Sequence, residues 1–259
     1  MGTAMAEAGT LPKGTQPEGA TSEQDASRKV REMFTRIAPR YDLLNHLLSG
    51  QMDKRWRARA ARELRPILDR PDARVLDLCC GTGDLAFSLA RNAKARIVGA
   101  DFSHTMLVRA KAKAIEEANG SAPVPFFEAD ALNLPFADAS FDLVTTAFGF
   151  RNLANYEAGL REIRRVLKTG GTLAILEFTE PAPGFIGDAY RFYCQKVLPK
   201  IGGLISGDPA AYAYLPKSVA RFFHPNELAG LMEQVGYSNV RFILMMLNSV
   251  ALHIAVKAN

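Results

Sequence analysis

Residues 75–84 read Val-Leu-Asp-Leu-Cys-Cys-Gly-Thr-Gly-Asp, and residues 96–101 read Arg-Ile-Val-Gly-Ala-Asp. Both begin as apolar runs of strand length, and the first continues into a glycine turn. Gly81 and Gly83 allow a tight bend and a close approach of the backbone to a ligand. Asp101 follows Gly81 by 20 residues, where a strand-end carboxylate can bind the two hydroxyls of a ribose. This pattern predicts a site for a nucleoside-containing cofactor.

The turn is compatible with two cofactors, NAD and S-adenosylmethionine. Residues 81–86 satisfy the permissive glycine pattern of NAD sites, which is a weak signal on its own. Asp84, however, opens the predicted helix, where a negative charge suits the helix dipole but would repel a pyrophosphate. Asp77 precedes Gly81 by four residues, so its carboxylate can meet the amino-acid end of a zwitterionic ligand. Both acids favour S-adenosylmethionine.

A further acid supports the same choice. Asp130, which is followed by Ala131, ends another predicted strand and can hold the amino group of an adenine. A single strand-end Asp could be a simple cap, but three at successive strand ends are less readily explained in that way. We therefore predict S-adenosylmethionine as the cofactor, in a site that includes Asp77, Gly81, Gly83, Asp101 and Asp130.

The composition is that of an ordinary globular protein. With 259 residues, 48% of them hydrophobic and 23% charged, the chain suits one large α/β domain. No apolar stretch approaches the roughly 20 residues of a membrane-spanning helix, and the first residues show no secretory signal pattern. The cysteines, Cys79, Cys80 and Cys194, do not suggest a disulfide framework, and no Cys/His cluster has metal-ligand spacing. We expect a cytoplasmic protein without a metal.

Charge is distributed unevenly along the chain. Residues 1–27 are rich in small and polar residues and are predicted to be a disordered tail. Residues 28–65 hold 11 Lys or Arg and 4 acids, a net charge of +7. Such a basic segment is either a solvated helix face or a surface that contacts anionic lipid headgroups, with Trp56 at the interface. Nucleic-acid binding is disfavoured, because no known module accompanies the charge.

Alternating apolar and helical patterns predict the architecture. Strands are predicted at residues 74–78, 96–101, 124–128, 142–148 and 172–178, and helices near 83–92, 104–119, 156–167 and 226–236. Residues 239–247 and 250–257 are predicted to form an antiparallel pair, and Pro39 is predicted to break a helical pattern over residues 30–48. The alternation predicts a mostly parallel sheet with helices on both faces and ligands at the carboxyl ends of the strands.

A long segment interrupts this alternation. Residues 181–225 hold 8 of the 23 aromatic residues of the chain. An insertion of this length in a compact domain is usually functional. We predict that residues 181–225 form an aromatic lid over the cofactor and create an apolar pocket. The alternative is a helical hairpin whose aromatic residues form a small core of their own.

Four motifs go beyond a generic nucleotide-binding sheet. They are Ile37-Ala-Pro-Arg-Tyr-Asp-Leu-Leu-Asn45, Phe148-Gly-Phe-Arg-Asn152, Leu176-Glu-Phe-Thr-Glu-Pro181 and Tyr214-Leu-Pro-Lys-Ser-Val219. Together they resemble the quinone-biosynthesis C-methyltransferases, which methylate the ring of demethylmenaquinol or of a methoxy-polyprenyl-benzoquinol. The resemblance covers about residues 28–257.

The resemblance implies a class I S-adenosylmethionine-dependent methyltransferase: a Rossmann-like α/β fold with seven mostly parallel strands, the last antiparallel. It implies cofactor contacts at Thr82, Asp101, Asp130 and Ala131. Ala147 also matches a contact position, but stands where some members have Ser, so that a hydroxyl contact is absent here. The Cys79-Cys80 pair is closer to the menaquinone-making members than to the ubiquinone-making ones, so demethylmenaquinol is the favoured substrate.

The chemistry of ring methylation points to Arg151 and Asn152. The acceptor carbon becomes nucleophilic when the adjacent phenol loses its proton, yet a phenol of the Tyr type has a pKa of about 10. Arg151 can stabilise the developing phenolate as a fixed positive charge. A guanidinium does not itself remove a proton, so a water held by Arg151 and Asn152 is the more credible relay. A structural salt bridge and a helix cap are the respective alternatives.

Four further residues are candidates for the acceptor pocket: Tyr41, Tyr190, Tyr214 and His224. The expected partners are a polyprenylated quinol and, peripherally, an anionic membrane surface at the inner face of the cell membrane. A homodimer is compatible with the sequence, which does not decide the oligomeric state. Three rival functions stay open at this point: an unrelated small-molecule or RNA methyltransferase, an NAD-dependent oxidoreductase, and a non-catalytic protein that binds the cofactor structurally.

Overall fold

The computed structural model describes residues 13–117, 124–181, 184–197 and 209–258. A few side chains within these ranges lie outside the described part, those of Tyr190, Cys194 and Tyr212 among them.

A seven-stranded sheet forms the centre of the described structure. Its strands are β1 (Arg74–Leu78), β2 (Arg96–Asp101), β3 (Phe126–Glu128), β4 (Phe141–Ala147), β5 (Leu167–Phe178), β6 (Tyr237–Met245) and β7 (Val250–Lys257). Their order across the sheet is β3-β2-β1-β4-β5-β7-β6. Strands β1 to β5 pair in parallel, and β7 runs antiparallel to both β5 and β6. The predicted fold class, with an antiparallel last strand, is confirmed.

Strand β5 begins five residues before the predicted start at residue 172. Residues 168–171 read Lys-Thr-Gly-Gly, a composition typical of a turn. The structure instead continues the strand through these residues, with Gly170 at a φ of +73°. The register against β4 shifts between Phe141 and Leu143, so the glycines are accommodated in an irregular strand.

Ten α-helices flank the sheet in the described ranges. They are α1 (Glu23–Ile37), α2 (Tyr41–Leu48), α3 (Met52–Glu63), α4 (Arg65–Leu68), α5 (Asp84–Ala90), α6 (His104–Glu117), α7 (Tyr156–Val166), α8 (Phe185–Phe192), α9 (Pro209–Ala220) and α10 (Pro225–Gln234). A 3₁₀ turn at Ala38–Arg40 separates α1 from α2, which confirms the predicted break, because Pro39 lacks the amide hydrogen that a continuous helix needs. None of the described helices is long and apolar enough to cross a membrane.

The predicted disordered tail is too long. Helix α1 begins at Glu23, and Ser22 caps it by accepting a hydrogen bond from the amide of Asp25. Thr15 and Ala26 are buried, and the amide of Thr15 donates to the carbonyl of Leu153 at 2.8 Å. The prediction is therefore wrong for residues 13–27, whose contacts with the rest of the protein outweigh their polar composition; residues 1–12 lie outside the described part.

Two large apolar clusters cover the two faces of the sheet, as parallel strands require. One contains Leu160 of α7 and Leu228 of α10. The other contains Trp56 of α3 and Leu85 of α5. A third, smaller cluster joins α1 to the segment after β5 through Met33, Ile37 and the partly buried Tyr214 and Leu215. This third cluster places the N-terminal helices over the carboxyl ends of the strands.

Candidate active site

Two adjacent cavities lie at the carboxyl ends of the strands. The larger, of about 180 Å³, extends from the glycine turn toward α3, α9 and the end of β5. The smaller, of about 60 Å³, lies between the ends of β2, β3 and β4. Six residues line both cavities: Phe34, Tyr41, Cys79, Gly81, Ala147 and Phe148. A ligand that spans the two cavities would therefore pass the glycine turn and the end of β4.

The glycine turn has the backbone geometry that its sequence predicts. Gly81 has a φ of +55°, and its amide donates to Asp101 Oδ2 at 2.9 Å. Gly83, at a φ of +88°, precedes α5 but lines neither cavity. A Cβ there would lie 2.9 Å from the Phe87 ring, so this glycine serves the packing of the turn. The prediction that Gly83 contacts the cofactor is not supported by its position.

The smaller cavity contains the acids predicted for the nucleoside. Asp101 is buried and accepts hydrogen bonds from the amides of Gly81 and of Ser103, the latter at 2.8 Å. Burial raises the pKa of Asp101 to about 6, against the lowering effect of those two amides. Asp130 is exposed and accepts from the amide of Leu132, and Ala131 beside it is buried; both line the cavity.

Asp77 lines the larger cavity and is fully buried. Its Oδ1 accepts from the hydroxyl of Thr145 at 3.0 Å, whereas Oδ2 has no donor of normal hydrogen-bond geometry among the described residues. Burial raises the pKa of Asp77 to about 7, and the contacts with Thr145 and the Ala86 amide offset this only in part. A buried carboxylate oxygen without a partner is costly, so it marks a place where a ligand can supply the missing donor.

A charged network that was not predicted surrounds Thr82. The buried hydroxyl of Thr82 donates to Asp42 Oδ1 at 2.5 Å, and Lys113 bonds Asp42 Oδ2 at 3.1 Å. Lys113 also pairs with Asp84. These contacts connect α2, α6 and the glycine turn. Asp42 is part of the N-terminal motif, but nothing in the sequence indicates that it meets a threonine 40 residues away.

Arg57 extends this network along α3. Its guanidinium lies 2.6 Å from Asp53 Oδ2 and 3.2 Å from Asp84 Oδ2. His46, Asp53 and Asp84 also bring metal-type ligand atoms within 4.8 Å of one another. Burial raises the pKa of Asp53, but the hydrogen bond from Ser49 and the charge of Arg57 lower it overall. Burial also raises the pKa of Asp84, and the charges of Arg57 and Lys113 lower it overall. The arrangement is that of a compensated ion-pair cluster.

Arg151 lies in the 3₁₀ turn Phe150–Asn152 that follows β4, and it is buried beside the larger cavity. Its Nη1 donates to Glu177 Oε1 at 2.7 Å and to the carbonyl of Phe148 at 2.5 Å. The guanidinium also lies 5.3 Å from the centre of the Phe178 ring. Burial lowers the pKa of Arg151, but the Glu177 carboxylate and the neighbouring Tyr214 raise it overall. Arg151 is thus a fixed cation and makes the salt bridge that the sequence left as an alternative to catalysis.

Glu177, the buried partner of Arg151, was not among the predicted site residues. It lies at the end of β5 within the motif Leu176–Pro181, and 1% of its surface is exposed. Its place at the end of a strand is the signal that would have predicted it, because Asp77 of β1 and Asp101 of β2 hold similar places.

Asn152 lines the smaller cavity and does not cap a helix. Its Oδ1 accepts from the hydroxyl of Tyr214 at 2.9 Å, and its Nδ2 lies 3.4 Å from the Phe148 carbonyl. The Tyr214 hydroxyl also lies 2.6 Å from Oγ1 of Thr15. Asn152 and Tyr214, which were predicted separately, are therefore directly bonded.

Three aromatic rings form one wall of the larger cavity. The ring centres of Phe148 and Phe178 are 4.5 Å apart. The Trp56 ring centre lies 5.9 Å from that of Phe148 and 6.1 Å from that of Phe178. Only 3% of Trp56 is exposed. The predicted role of Trp56 at a membrane interface is therefore wrong, because its ring is enclosed by these two phenylalanines.

The segment after β5 covers the larger cavity in part. Tyr214, Leu215, Pro216 and Val219 of α9 and Arg191 of α8 line it. Phe222 and Phe223 instead pack in the main core around Tyr156. The side chain of Tyr190 lies outside the described residues. The lid over the cofactor therefore stays a prediction for α9, which lines the larger cavity. Phe222 and Phe223 do not take part in it, because they pack as core residues.

Tyr41 lines both cavities and Tyr214 the larger one, in line with their prediction as pocket residues. His224 does not belong to the pocket. It is exposed, lines neither cavity, and precedes α10, where its amide donates to Glu227 Oε2 at 2.7 Å. Its local role at the start of a helix explains why it follows the aromatic segment without facing the cavity.

Comparison with known proteins adds a family to this geometry. Residues 22–257 match the model of the ubiE/COQ5 methyltransferase family. A protein from Thermus thermophilus named demethylmenaquinone methyltransferase is 52% identical over 223 residues, which cover 86% of this chain and 98% of the relative. A protein of the same name from Deinococcus radiodurans is 50% identical, with 83% of this chain and 87% of the relative covered. A relative from Syntrophotalea carbinolica is named ubiquinone/menaquinone biosynthesis C-methyltransferase UbiE. It is 46% identical, with 82% of this chain and 87% of the relative covered.

Solved structures of low sequence identity share the fold. A SAM-dependent methyltransferase from Aquifex aeolicus has a TM-score of 0.55 at 20% identity, covering 76% of this chain and 88% of the other. A phosphoethanolamine N-methyltransferase from Haemonchus contortus, solved with S-adenosylmethionine, has a TM-score of 0.54 at 15% identity. The match covers 76% of this chain and 53% of the other.

Proposed function

The chain belongs to the ubiE/COQ5 methyltransferase family, and from this membership we propose that it methylates a ring carbon of demethylmenaquinol with S-adenosylmethionine as methyl donor. The two relatives near 50% identity that are named demethylmenaquinone methyltransferase support this choice of acceptor. The observation that carries the proposal is the junction of the two cavities at Phe148. There, an acid-lined space of nucleoside character adjoins a larger space walled by aromatic rings.

The residues present fit the cofactor. Within the described ranges, Asp77 Oδ2 has no hydrogen-bond donor of normal geometry, and the ammonium group of a methionine moiety is such a donor. Asp101 and Asp130 lie in the smaller cavity, where they would hold the ribose and the adenine, with Ala131 and Ala147 against the rings. Gly81 and Thr82 would lie beside the methionine portion. When bound, S-adenosylmethionine supplies an electrophilic methyl group on a positively charged sulfur.

We assign Arg151 to the acceptor. Its guanidinium is buried, permanently charged and oriented by Glu177, so it can lower the pKa of a quinol hydroxyl placed in the larger cavity without itself titrating. A water molecule held by Arg151 and Asn152 would relay the phenolic proton to solvent. The ring carbon would take the methyl group as its bond to sulfur breaks, and would then lose its own proton to restore the aromatic ring. The Trp56, Phe148 and Phe178 rings would exclude bulk water from the reacting atoms and strengthen the field of the cation.

A second acceptor deserves the same assay. The Syntrophotalea relative carries both quinone names, which supports a 2-methoxy-6-polyprenyl-1,4-benzoquinol as the alternative. Both acceptors present a phenol beside an unsubstituted ring carbon, and the described cavity favours neither by charge.

The proposal is tested by incubating the purified protein with labelled S-adenosylmethionine and one of the two reduced acceptors, each with a short prenyl tail. We expect label on a ring carbon of demethylmenaquinol, and the ratio of the two rates chooses between the acceptors. Binding of the cofactor without transfer to either acceptor would refute the proposal. Transfer to an oxygen atom instead of carbon would refute its reaction class.

We also propose that the protein contacts an anionic membrane surface, from which a prenylated quinol would be taken. Helix α8, beside the larger cavity through Arg191, supports this: Phe185 is 90% exposed and Phe192 is 62% exposed. Exposed aromatic side chains of this kind are typical of interfacial helices. The activity would reside in one domain, residues 28–259, together with the part of residues 13–27 that packs on it.

A further inference from the structure

Residues 13–16 form a short segment outside the helices and strands, here called the N-terminal strap, that is hydrogen-bonded to the loop after Asn152. The amide of Tyr156 donates to the carbonyl of Lys13, and the amide of Thr15 donates to the carbonyl of Leu153, both at 2.8 Å. Arg221 bonds the carbonyl of Gln16 at 3.0 Å. The strap precedes residue 22, where the match to the family model begins.

The register of the strap is fixed by Gly14. A Cβ on Gly14 would lie 1.9 Å from the carbonyl oxygen of Ala154 and 2.9 Å from the amide nitrogen of Asn155. These are backbone atoms that no rotamer change can move away. A shift of the strap by one residue would therefore bring a side chain into the loop, so Thr15 is held at one position.

Thr15 begins a directed chain of hydrogen bonds. Its hydroxyl lies 2.6 Å from the hydroxyl of Tyr214, which in turn donates to Asn152 Oδ1 at 2.9 Å. A tyrosine has one hydroxyl proton. Since that proton is directed to Asn152, Thr15 is the donor to Tyr214, and the chain runs from the strap to the amide of Asn152.

The chain ends at the junction of the two cavities. Tyr214 lines the larger cavity and Asn152 the smaller. Asn152 also approaches the Phe148 carbonyl, which accepts the short hydrogen bond from Arg151. The orientation of the Asn152 amide, and hence of the groups that face the acceptor, depends on the direction of the Tyr214 proton.

We propose that Thr15 is a positioning residue of the methyl-transfer site, which orients Tyr214 and Asn152 toward the acceptor through its hydroxyl. The inference rests on the proposed function for its kinetic consequence, but its structural claim is separate. The environment of Tyr214 agrees with a hydrogen bond donated by Thr15. Burial raises the pKa of the Tyr214 phenol, and the hydrogen bond from Thr15 opposes this rise.

The test compares Thr15→Val, which keeps the shape and loses the hydroxyl, with Thr15→Ser, which keeps the hydroxyl. For Thr15→Val we expect kcat/KM for the quinol to fall about 3- to 10-fold, the size of one hydrogen bond, with the affinity for S-adenosylmethionine unchanged. Thr15→Ser should restore the wild-type value to within about twofold. Thr21→Val, at an exposed threonine just outside the strap, is the matched control and should have no effect.

Coupling to Tyr214 is tested by a double-mutant cycle with Tyr214→Phe. Once the phenol is gone, Thr15→Val should cause no further loss. Additive losses, equal losses in the valine and serine variants, or wild-type kinetics in Thr15→Val would each overturn the inference.

A readout without turnover separates this inference from the proposed function. The pKa of Tyr214, measured by NMR on ¹³Cζ-labelled tyrosine, should rise in Thr15→Val and return in Thr15→Ser. If neither quinol is methylated by the wild-type protein, the proposed function fails, and this titration still decides the role of Thr15. An unchanged pKa in Thr15→Val would reject it. Should Thr15→Val not fold, the wild-type and Thr15→Ser titrations are compared with Thr15→Ala.

Discussion

Asp77 is a residue whose burial opposes folding at neutral pH. Its pKa of about 7 in the folded protein lies above the value of about 3.9 for an exposed Asp. The folded state therefore binds this proton more tightly than the unfolded state. The folding stability contributed by this protonation is fully present below about pH 4 and is lost as the pH rises through about 7. A destabilising carboxylate at a cavity is typical of a ligand site.

Replacing Asp77 by Asn should separate stability from binding. Asn keeps the contact with Thr145 and removes the buried charge, so we expect the melting temperature at pH 8 to rise by roughly 2–6 °C. The affinity for S-adenosylmethionine should fall about 10-fold or more, since a hydrogen bond to a charged group contributes roughly 1.5–3 kcal/mol. Calorimetric unfolding and isothermal titration measure the two effects, with the exposed Asp72→Asn as control. Unchanged affinity would remove Asp77 from the cofactor site.

Cofactor binding should also depend on pH. Binding of an ammonium group requires the ionised form of Asp77, and Asp101, with a pKa of about 6, must ionise as well. The affinity for S-adenosylmethionine should therefore weaken as the pH falls from 8 to 5.5, with proton release on binding near pH 7. Titration calorimetry in buffers of different ionisation enthalpy measures the released protons. In Asp77→Asn the change of cofactor affinity near pH 7 should disappear. If this change persists in the variant, a group other than Asp77 causes it.

Arg151 should matter for turnover more than for cofactor affinity. Truncating Arg151 alone would leave Glu177 buried and unpaired, a loss of roughly 3–5 kcal/mol of folding stability. The informative variant is therefore Arg151→Met combined with Glu177→Gln. We expect kcat to fall about 100-fold or more, with the dissociation constant of S-adenosylmethionine within threefold or so of wild type. The single Glu177→Gln variant is the control, and retained turnover in the double variant would show that Arg151 is only structural.

At the scale of elements, α8 is the part whose surface is least explained by packing. Phe185 and Phe192 are seven residues apart, so they project from the same side of the helix. Burying an exposed phenylalanine in an apolar phase is worth about 1.5–3 kcal/mol. Phe185→Ser with Phe192→Ser should reduce partitioning onto phosphatidylglycerol vesicles by about 10-fold or more, measured by co-sedimentation. Ile115→Ser, at an 81% exposed apolar residue of α6, is the matched control. Wild-type protein that stays off the vesicles, or an equal loss in the control, would refute membrane contact by α8.

The elements also differ in how well the sequence predicts them. Strands β1 and β2 have the predicted bounds, because short apolar runs that end in an Asp or a glycine turn are local signals. The pairing of Arg151 with Glu177, and of Thr82 with Asp42, was not predictable. Each joins residues that are far apart in sequence, and depends on which strands become neighbours in the sheet. The burial of Trp56 was not predictable for a related reason. Most basic residues of α3 are exposed, although Arg57 is buried. The rings of Phe148 and Phe178 that enclose Trp56 come from the ends of β4 and β5.

At the scale of the whole molecule, cofactor binding should stabilise the entire fold. The N-terminal helices contact the segments at the ends of β1, β2 and β3: Asp42 bonds Thr82, and Arg31 bonds the Phe102 carbonyl and Glu128. A ligand at about 100 times its dissociation constant adds about 2.7 kcal/mol, or a rise of roughly 5–10 °C in melting temperature. Differential scanning fluorimetry with S-adenosylmethionine measures this shift. Adenosine, which lacks the methionine portion that Asp77 would bind, should give a smaller shift; an equal shift would argue against that role.

The position of β7 has a consequence for how the chain acquires its structure during synthesis. Among the described strands, β6 pairs only with β7, and β7 pairs with β5 on its other side. When β6 leaves the ribosome, its place in the sheet does not yet exist, because the strand that must separate it from β5 is still to be translated. Until then the edge of β5 is unpaired, and an open strand edge invites association with other chains. We expect ribosome-bound chains that stop before Val250 to depend on chaperones and to be degraded readily. Once β7 has emerged, the chaperone dependence and the rapid degradation should both cease.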